Sequence, residues 1–238
     1  MCWNAFVSFS FASFDCLVVF VLILRNVDRD RLFALLMAPI AFQEIFQFLF
    51  WWTDAISSCT FLNRILSLCI VVTTSTIPFI CIYIGHHTTD KWIRSSAEKR
   101  QPGKLERLLQ HSPTYLYGVA TLYVIFLCYV LPVTQTWCTT VGPHGHQQWI
   151  CGVGAYKLYG YISYVAFLAM YVAPMAIGLR QLKPTWERDT VGLLGAFPAA
   201  IVYSFFSQTL EACSIWCWSA FIEGAFLLVR PYLHTIFL

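Results

Sequence analysis

Three carboxylates stand inside long apolar runs: Asp15 within Trp3–Leu24, Glu44 within Leu32–Trp52 and Glu223 within Cys213–Val229. An ionisable side chain at membrane depth is costly and marks a functional site by default. At about 1.5 Å of rise per residue, all three fall roughly 10–20 Å below one surface, with no Lys, Arg or His at that depth. Such a cluster is accommodated in one of two ways: the acids hold their protons, or a cation supplies the missing charge. Both are states of a proton- or cation-handling site. Polar neighbours extend it. Gln43, Glu44 and Gln47 follow helical spacing, Asn63, Ser67 and Thr74 recur along the next apolar run, and Ser219 lies four residues before Glu223. Oxygen-bearing side chains of this kind suit hard cations or hydroxyl-bearing solutes. The expected ion- or substrate-binding set is therefore Asp15, Glu44, Glu223, Gln43, Gln47, Asn63, Ser67 and Thr74. The competing reading is packing, since the same side chains bridge membrane helices at about 0.6–2 kcal/mol each.

The elements that must position these residues follow from composition. The chain has 238 residues, 58% hydrophobic, 17% aromatic and 11% charged. A soluble domain carries roughly 25% charged residues, so this chain lacks the polar atoms to cover a water-facing globule. Disorder is excluded by its hydrophobicity. A net charge of +3 gives no nucleic-acid footprint. A helix crosses the hydrocarbon with about 20 mostly apolar residues, and seven segments qualify: residues 3–24, 32–52, 61–84, 115–133, 158–179, 191–207 and 213–229. The runs are too long and too continuously apolar for a membrane barrel. The expected fold is all-α, a single seven-helix membrane domain over residues 1–238.

Basic residues orient it. With the N-terminus outside and the C-terminus inside, thirteen of the fifteen Lys and Arg residues fall on the cytoplasmic side, leaving Arg64 and Lys157 outside. The first span has no Lys or Arg before it, unlike a signal peptide, and is expected to stay uncleaved. Basic loops facing the cytoplasm fit either the plasma membrane or an endomembrane. The lipid bilayer is the first partner, and the basic loop over residues 86–113 can lie against anionic headgroups.

Cysteines sort by side. Cys2, Cys59, Cys138, Cys151, Cys213 and Cys217 lie at or near the outer interface, while Cys16, Cys69, Cys81 and Cys128 lie within spans. Disulfides persist on oxidising faces, so the six outer cysteines are bridge candidates. Six cysteines allow fifteen pairings, and the expected one is Cys138–Cys151, which would close the Gly- and His-containing loop over residues 134–156. Tryptophans concentrate at the same outer level, as an interfacial belt does.

No His sits at mid-membrane depth for a zinc hydrolase, and no nucleotide- or acyl-transfer motif occurs. The last span has no lysine for a retinal Schiff base. The sequence points to no enzyme, cofactor or metal centre.

An Arg-Asp pair followed nine residues on by a proline occurs twice, as Arg29-Asp30 with Pro39 and as Arg188-Asp189 with Pro198. This suggests parallel three-helix repeats over residues 3–84 and 158–230, with residues 115–133 as a linker helix. The layout resembles the SWEET and PQ-loop transporters, which use three-plus-one-plus-three helices. The resemblance implies that fold and a transport role. It assigns no substrate residue, because no Pro-Gln pair begins a span here. The opening stretch through Trp51-Trp52 is also similar to seven-helix membrane proteins of protists and large viruses, which implies no mechanism. The expected function is a transporter or channel for a cation or small polar solute, proton-coupled in one form. The alternatives are a receptor-like seven-helix protein and a structural subunit of a membrane complex, and a homo-oligomer or complex partner is compatible with each.

Overall fold

A computed structural model describes residues 4–27, 29–96, 114, 116–122, 124–125, 138–141, 145, 147–148 and 212–236. Most of them are helical. The expected spans over residues 158–179 and 191–207 lie outside the described residues, as do the second Arg-Asp pair and Pro198. Of the expected linker helix, residues 116–122 and 124–125 are helical.

Helix α1 is Ala5–Arg25. Asn4 caps its start, accepting from the Val7 N–H at 2.9 Å, and Asn26 ends it in the left-handed region (φ 47°). Both are residue types suited to those positions. A short turn leads to α2, Asp30–Trp52, which is antiparallel to α1 and carries Pro39. A 3-10 turn over Ala55–Ser57 follows. Thr60 then caps α3, Phe61–Ser96, accepting from the Asn63 N–H at 3.3 Å. Helix α4, Ala212–Ile236, contains Pro231. Among the described residues, three helical segments are long and apolar enough to cross a membrane: Ala5–Arg25, Asp30–Trp52 and Phe61–Ile84. Their outward aromatic and aliphatic side chains, such as Phe6, Phe9, Phe20 and Phe42, are exposed, as lipid-facing residues are. A two-stranded antiparallel hairpin pairs β1, Thr140–Val141, with β2, Gln147–Gln148. Gly145 at φ 79° turns the chain between them, where a residue without Cβ is least strained.

The chain divides into two compact units. The first holds residues 1–74, 131–155 and 192–238, and the second holds residues 75–130 and 156–191. In the second unit Ile82, Leu116 and Ala120 form a small apolar core, with Phe79 stacked on Tyr117 at 6.1 Å.

In the first unit α4 packs on α1 and α2. Gly224 makes this approach close: a Cβ there would lie 2.9 Å from Phe14 Cε1, 3.1 Å from Val18 Cγ2 and 3.5 Å from Met37 Cε. Phe221 adds ring contacts with Phe14 (4.5 Å) and Phe11 (5.7 Å, edge to face). Helix α4 therefore runs in the same direction as α1.

Candidate functional site

The three acids are all buried: Asp15 is 0% exposed, Glu44 1% and Glu223 4%. Ring and glycine contacts fix their heights. Phe9 of α1 faces Phe48 of α2 at 5.4 Å. Because α1 and α2 are antiparallel, six residues on from Phe9, at Asp15, the facing level on α2 is near Phe42. Glu44 then lies about 3 Å toward the Phe48 end. Glu223 sits between Phe221 and Gly224, which pack at the level of Phe14 and Val18. The three carboxyl-bearing residues thus share one layer, about a turn thick, on three packed helices.

Within that layer their situations differ. Neither carboxyl oxygen of Asp15 has a hydrogen-bond partner among the described residues, although a buried polar group left unpaired is costly. Glu44 and Glu223 do have interactions. Among the described residues, no three His, Cys, Asp or Glu side chains are placed to hold a metal ion. Thr74 donates to Gln43 Oε1 at 3.2 Å, linking α3 to the helix that carries Glu44.

The end of the first unit nearest Trp52 is closed by a hydrogen-bonded and covalent knot. Cys59 bonds Cys138, with their Cα atoms 5.4 Å apart. This corrects the expected Cys138–Cys151 bridge. Closing the loop over residues 134–156 suggested that pairing, but the contacts of the next residue, Thr139, fix where Cys138 lies. Asn63 Nδ2 donates to the carbonyls of Ala55 (2.7 Å), Ser58 (3.2 Å) and Thr139 (2.8 Å), and Asn63 Oδ1 accepts from the Thr139 N–H at 2.9 Å and Ser67 Oγ at 3.2 Å. The Ser67 and Thr139 hydroxyls are 2.8 Å apart, and the Thr139 N–H also reaches Ser67 Oγ at 3.1 Å. These bonds seat Cys138 beside the start of α3. Cys2 and Cys151 lie outside the described residues, as do the side chains of Cys213 and Cys217.

Beyond the knot the hairpin returns into the bundle. Gln147 is fully buried, and its Nε2 donates to the Gln47 carbonyl of α2 at 3.2 Å. Gln147 Oε1 and the buried Ser8 Oγ of α1 have no hydrogen-bond partner among the described residues.

The opposite end is held by charge. Asp30 accepts from Arg25 Nε (2.7 Å), Arg25 Nη2 (2.9 Å) and the Val27 N–H (3.0 Å). Arg25 also donates to the α4 carbonyls of Leu228 (2.7 Å) and Leu227 (2.9 Å). Pro231 supplies no N–H to the Leu227 carbonyl one turn earlier, so Arg25 fills a gap the proline opens. Arg230 approaches Asp30 to 3.9 Å and lies 4.8 Å from the centre of the Phe33 ring.

The expected set therefore divides. Asp15, Glu44 and Glu223 share a layer, and Gln43 and Gln47 lie beside Glu44 on α2. Thr74 is bonded to Gln43, while Asn63 and Ser67 are committed to the knot around Thr139. The sequence did not single out Ser8 or Gln147, and Gln147 is 100 residues from its partner. No protein-family model, no curated protein and no solved structure matches the chain.

Proposed function

We propose that the chain is a seven-span membrane transporter or channel for a cation or small polar solute, with Asp15, Glu44 and Glu223 as its ion- or proton-holding residues. The observation that carries this reading is Asp15: fully buried, without a hydrogen-bond partner among the described residues, and level with two further buried acids. Several features support the span count. Three helices among the described residues have the length and hydropathy to cross, and α4 runs parallel to α1, as the first and last of an odd number of crossings must. In this reading the disulfide end faces outside, where a bridge persists, and the Arg25–Asp30 end faces the cytoplasm. The three-plus-one-plus-three layout of the SWEET and PQ-loop transporters remains part of the proposal.

The test is flux into proteoliposomes. Asp15→Asn, Glu44→Gln and Glu223→Gln should each depress cation or solute flux steeply while the protein still elutes as a folded species. Unchanged flux in all three rejects the assignment. One observation favours a receptor-like reading: the hairpin is anchored to the start of α3 by both a disulfide and Asn63, a suitable lid for a ligand. Ligand-dependent movement of the cytoplasmic helix ends without any flux would put that reading first.

A further inference from the structure

We infer that an internal water column runs along the buried face of α1 from Gln147 and Ser8 to Asp15, and that the ion the acid layer takes is the proton. This rests on the proposed transport reading and names its substrate. Three buried groups carry it: Ser8 Oγ, both Asp15 carboxyl oxygens and Gln147 Oε1, none with a hydrogen-bond partner among the described residues. They are not scattered. Ser8 and Asp15 are two helical turns apart, so they lie on one face of α1, about 10 Å from each other along the axis. Gln147 bonds the Gln47 carbonyl. Phe48, the next residue of α2, lies against Phe9 of α1, which puts the Gln147 amide at the Ser8 end of that interval.

Buried polar groups without protein partners are ordinarily satisfied by ordered water. An interval of about 10 Å takes about three waters at hydrogen-bond spacing. Such a chain moves a proton by transfer along its hydrogen bonds: a water accepts one proton and passes another on, and Asp15 accepts or releases the last. No bond other than O–H is made or broken. A bare metal cation needs more, since it must be wrapped by about six oxygens. The described residues place no three His, Cys, Asp or Glu for that purpose, and Gln43 Oε1 already accepts from Thr74. Among the described residues, the charged and titratable groups that share the layer with Asp15 are Glu44 and Glu223 on the packed helices and the free thiol of Cys16 beside it on α1. The basic residues whose side chains are described, Arg25, Arg29, Arg31, Arg64 and Arg230, all lie toward helix ends.

The experiment uses the full chain in phosphatidylcholine vesicles with a trapped pH-sensitive dye and a voltage set by potassium and valinomycin. A parallel arm reads sodium with a sodium-sensitive dye. Proton uptake without sodium uptake is expected. Asp15→Asn should abolish it. Ser8→Val and Gln147→Leu should each lower it by about tenfold, the rate equivalent of one net hydrogen bond. Ser8→Thr has the shape of the valine variant but keeps a hydroxyl, and should restore the flux lost in Ser8→Val. Gln147→Met is a second apolar replacement in case leucine disturbs the hairpin. Wild-type-level proton flux in both Ser8→Val and the Gln147 variants overturns the column. Sodium or solute uptake that is lost in Asp15→Asn, without proton uptake in the wild type, overturns this inference and leaves the transport reading standing. No flux of any kind overturns both.

Discussion

Replacing Asp30 with asparagine preserves volume and one carbonyl acceptor but removes the charge that two arginines share. Asp30 is fully buried and receives three hydrogen bonds, at 2.7, 2.9 and 3.0 Å, with Arg230 a further 3.9 Å away. Each bond to a charged group is worth about 1.5–3 kcal/mol, but the sum overshoots, because the Arg25 side chain is 18% exposed and regains some water. Breaking a buried pair from one side costs about 3–5 kcal/mol. For a chain of this size each kcal/mol moves the melting temperature by about 2–4 °C, so Asp30→Asn should lower it by about 6–20 °C. Tryptophan fluorescence of the detergent-solubilised chain reads this directly. A double-mutant cycle isolates the part of the network that depends on proline. Pro231→Ala returns an N–H to the Leu227 carbonyl, one of the two that Arg25 otherwise serves. Arg25→Met should then cost about 1–2 kcal/mol less in the Pro231→Ala background than alone. Additive effects, within about 0.5 kcal/mol, would refute the account of Arg25 as the partner of a proline-freed carbonyl.

Three further outcomes follow from the same geometry. Non-reducing peptide mapping should recover a Cys59–Cys138 cross-link, and Cys59→Ser should destabilise the protein by about 2–4 kcal/mol; a Cys138–Cys151 peptide would contradict it. Asn63→Ala removes the partner of two Thr139 backbone groups and of the Ser67 hydroxyl, so a loss of about 2–4 kcal/mol in thermal unfolding is expected, with faster proteolysis of the hairpin. Gly224→Leu should cost about 1–3 kcal/mol by overpacking against Phe14, Val18 and Met37, whereas Gly224→Ala recovers about 1 kcal/mol of helix propensity and should be milder; equal melting temperatures for both variants would show that α4 is not seated this closely.

What the sequence made legible is governed by range. The runs over residues 3–24, 32–52 and 61–84 appear as helical segments within two residues at each end, because hydropathy over about 20 residues reports directly on a spanning helix. Where α3 runs on to Ser96 and α4 to Ile236, past Pro231, the apolar signal had stopped but the backbone bonding had not. Burial of the acids was legible for the same local reason. Partnership was not. The partner of Asn63 and Ser67, Thr139, is 76 and 72 residues away. Cys59 and Cys138 are separated by 79. The α4 carbonyls that Arg25 serves lie 202 and 203 residues on. Spacing along a helix shows which side chains share a face, and nothing in it names what lies across the gap.

The ends and the middle of the first unit differ in how their buried polar groups are satisfied. Asp30 is as buried as Asp15, yet three N–H donors and two guanidinium groups answer its charge. Both polar atoms of Asn63 are used, one of them three times. These are groups that folding has satisfied, and removing them should register as lost stability. Asp15 and Ser8 lie on one buried face of α1 without such answers among the described residues. Packing alone would favour an apolar residue at either position, since a half-satisfied polar site is worse than none. Exceptions of this kind are expected at functional sites. Hence Asp15→Leu should raise the melting temperature while abolishing flux, the opposite of what Asp30→Asn does to stability. A destabilised Asp15→Leu would mean that the carboxyl is a packing element after all.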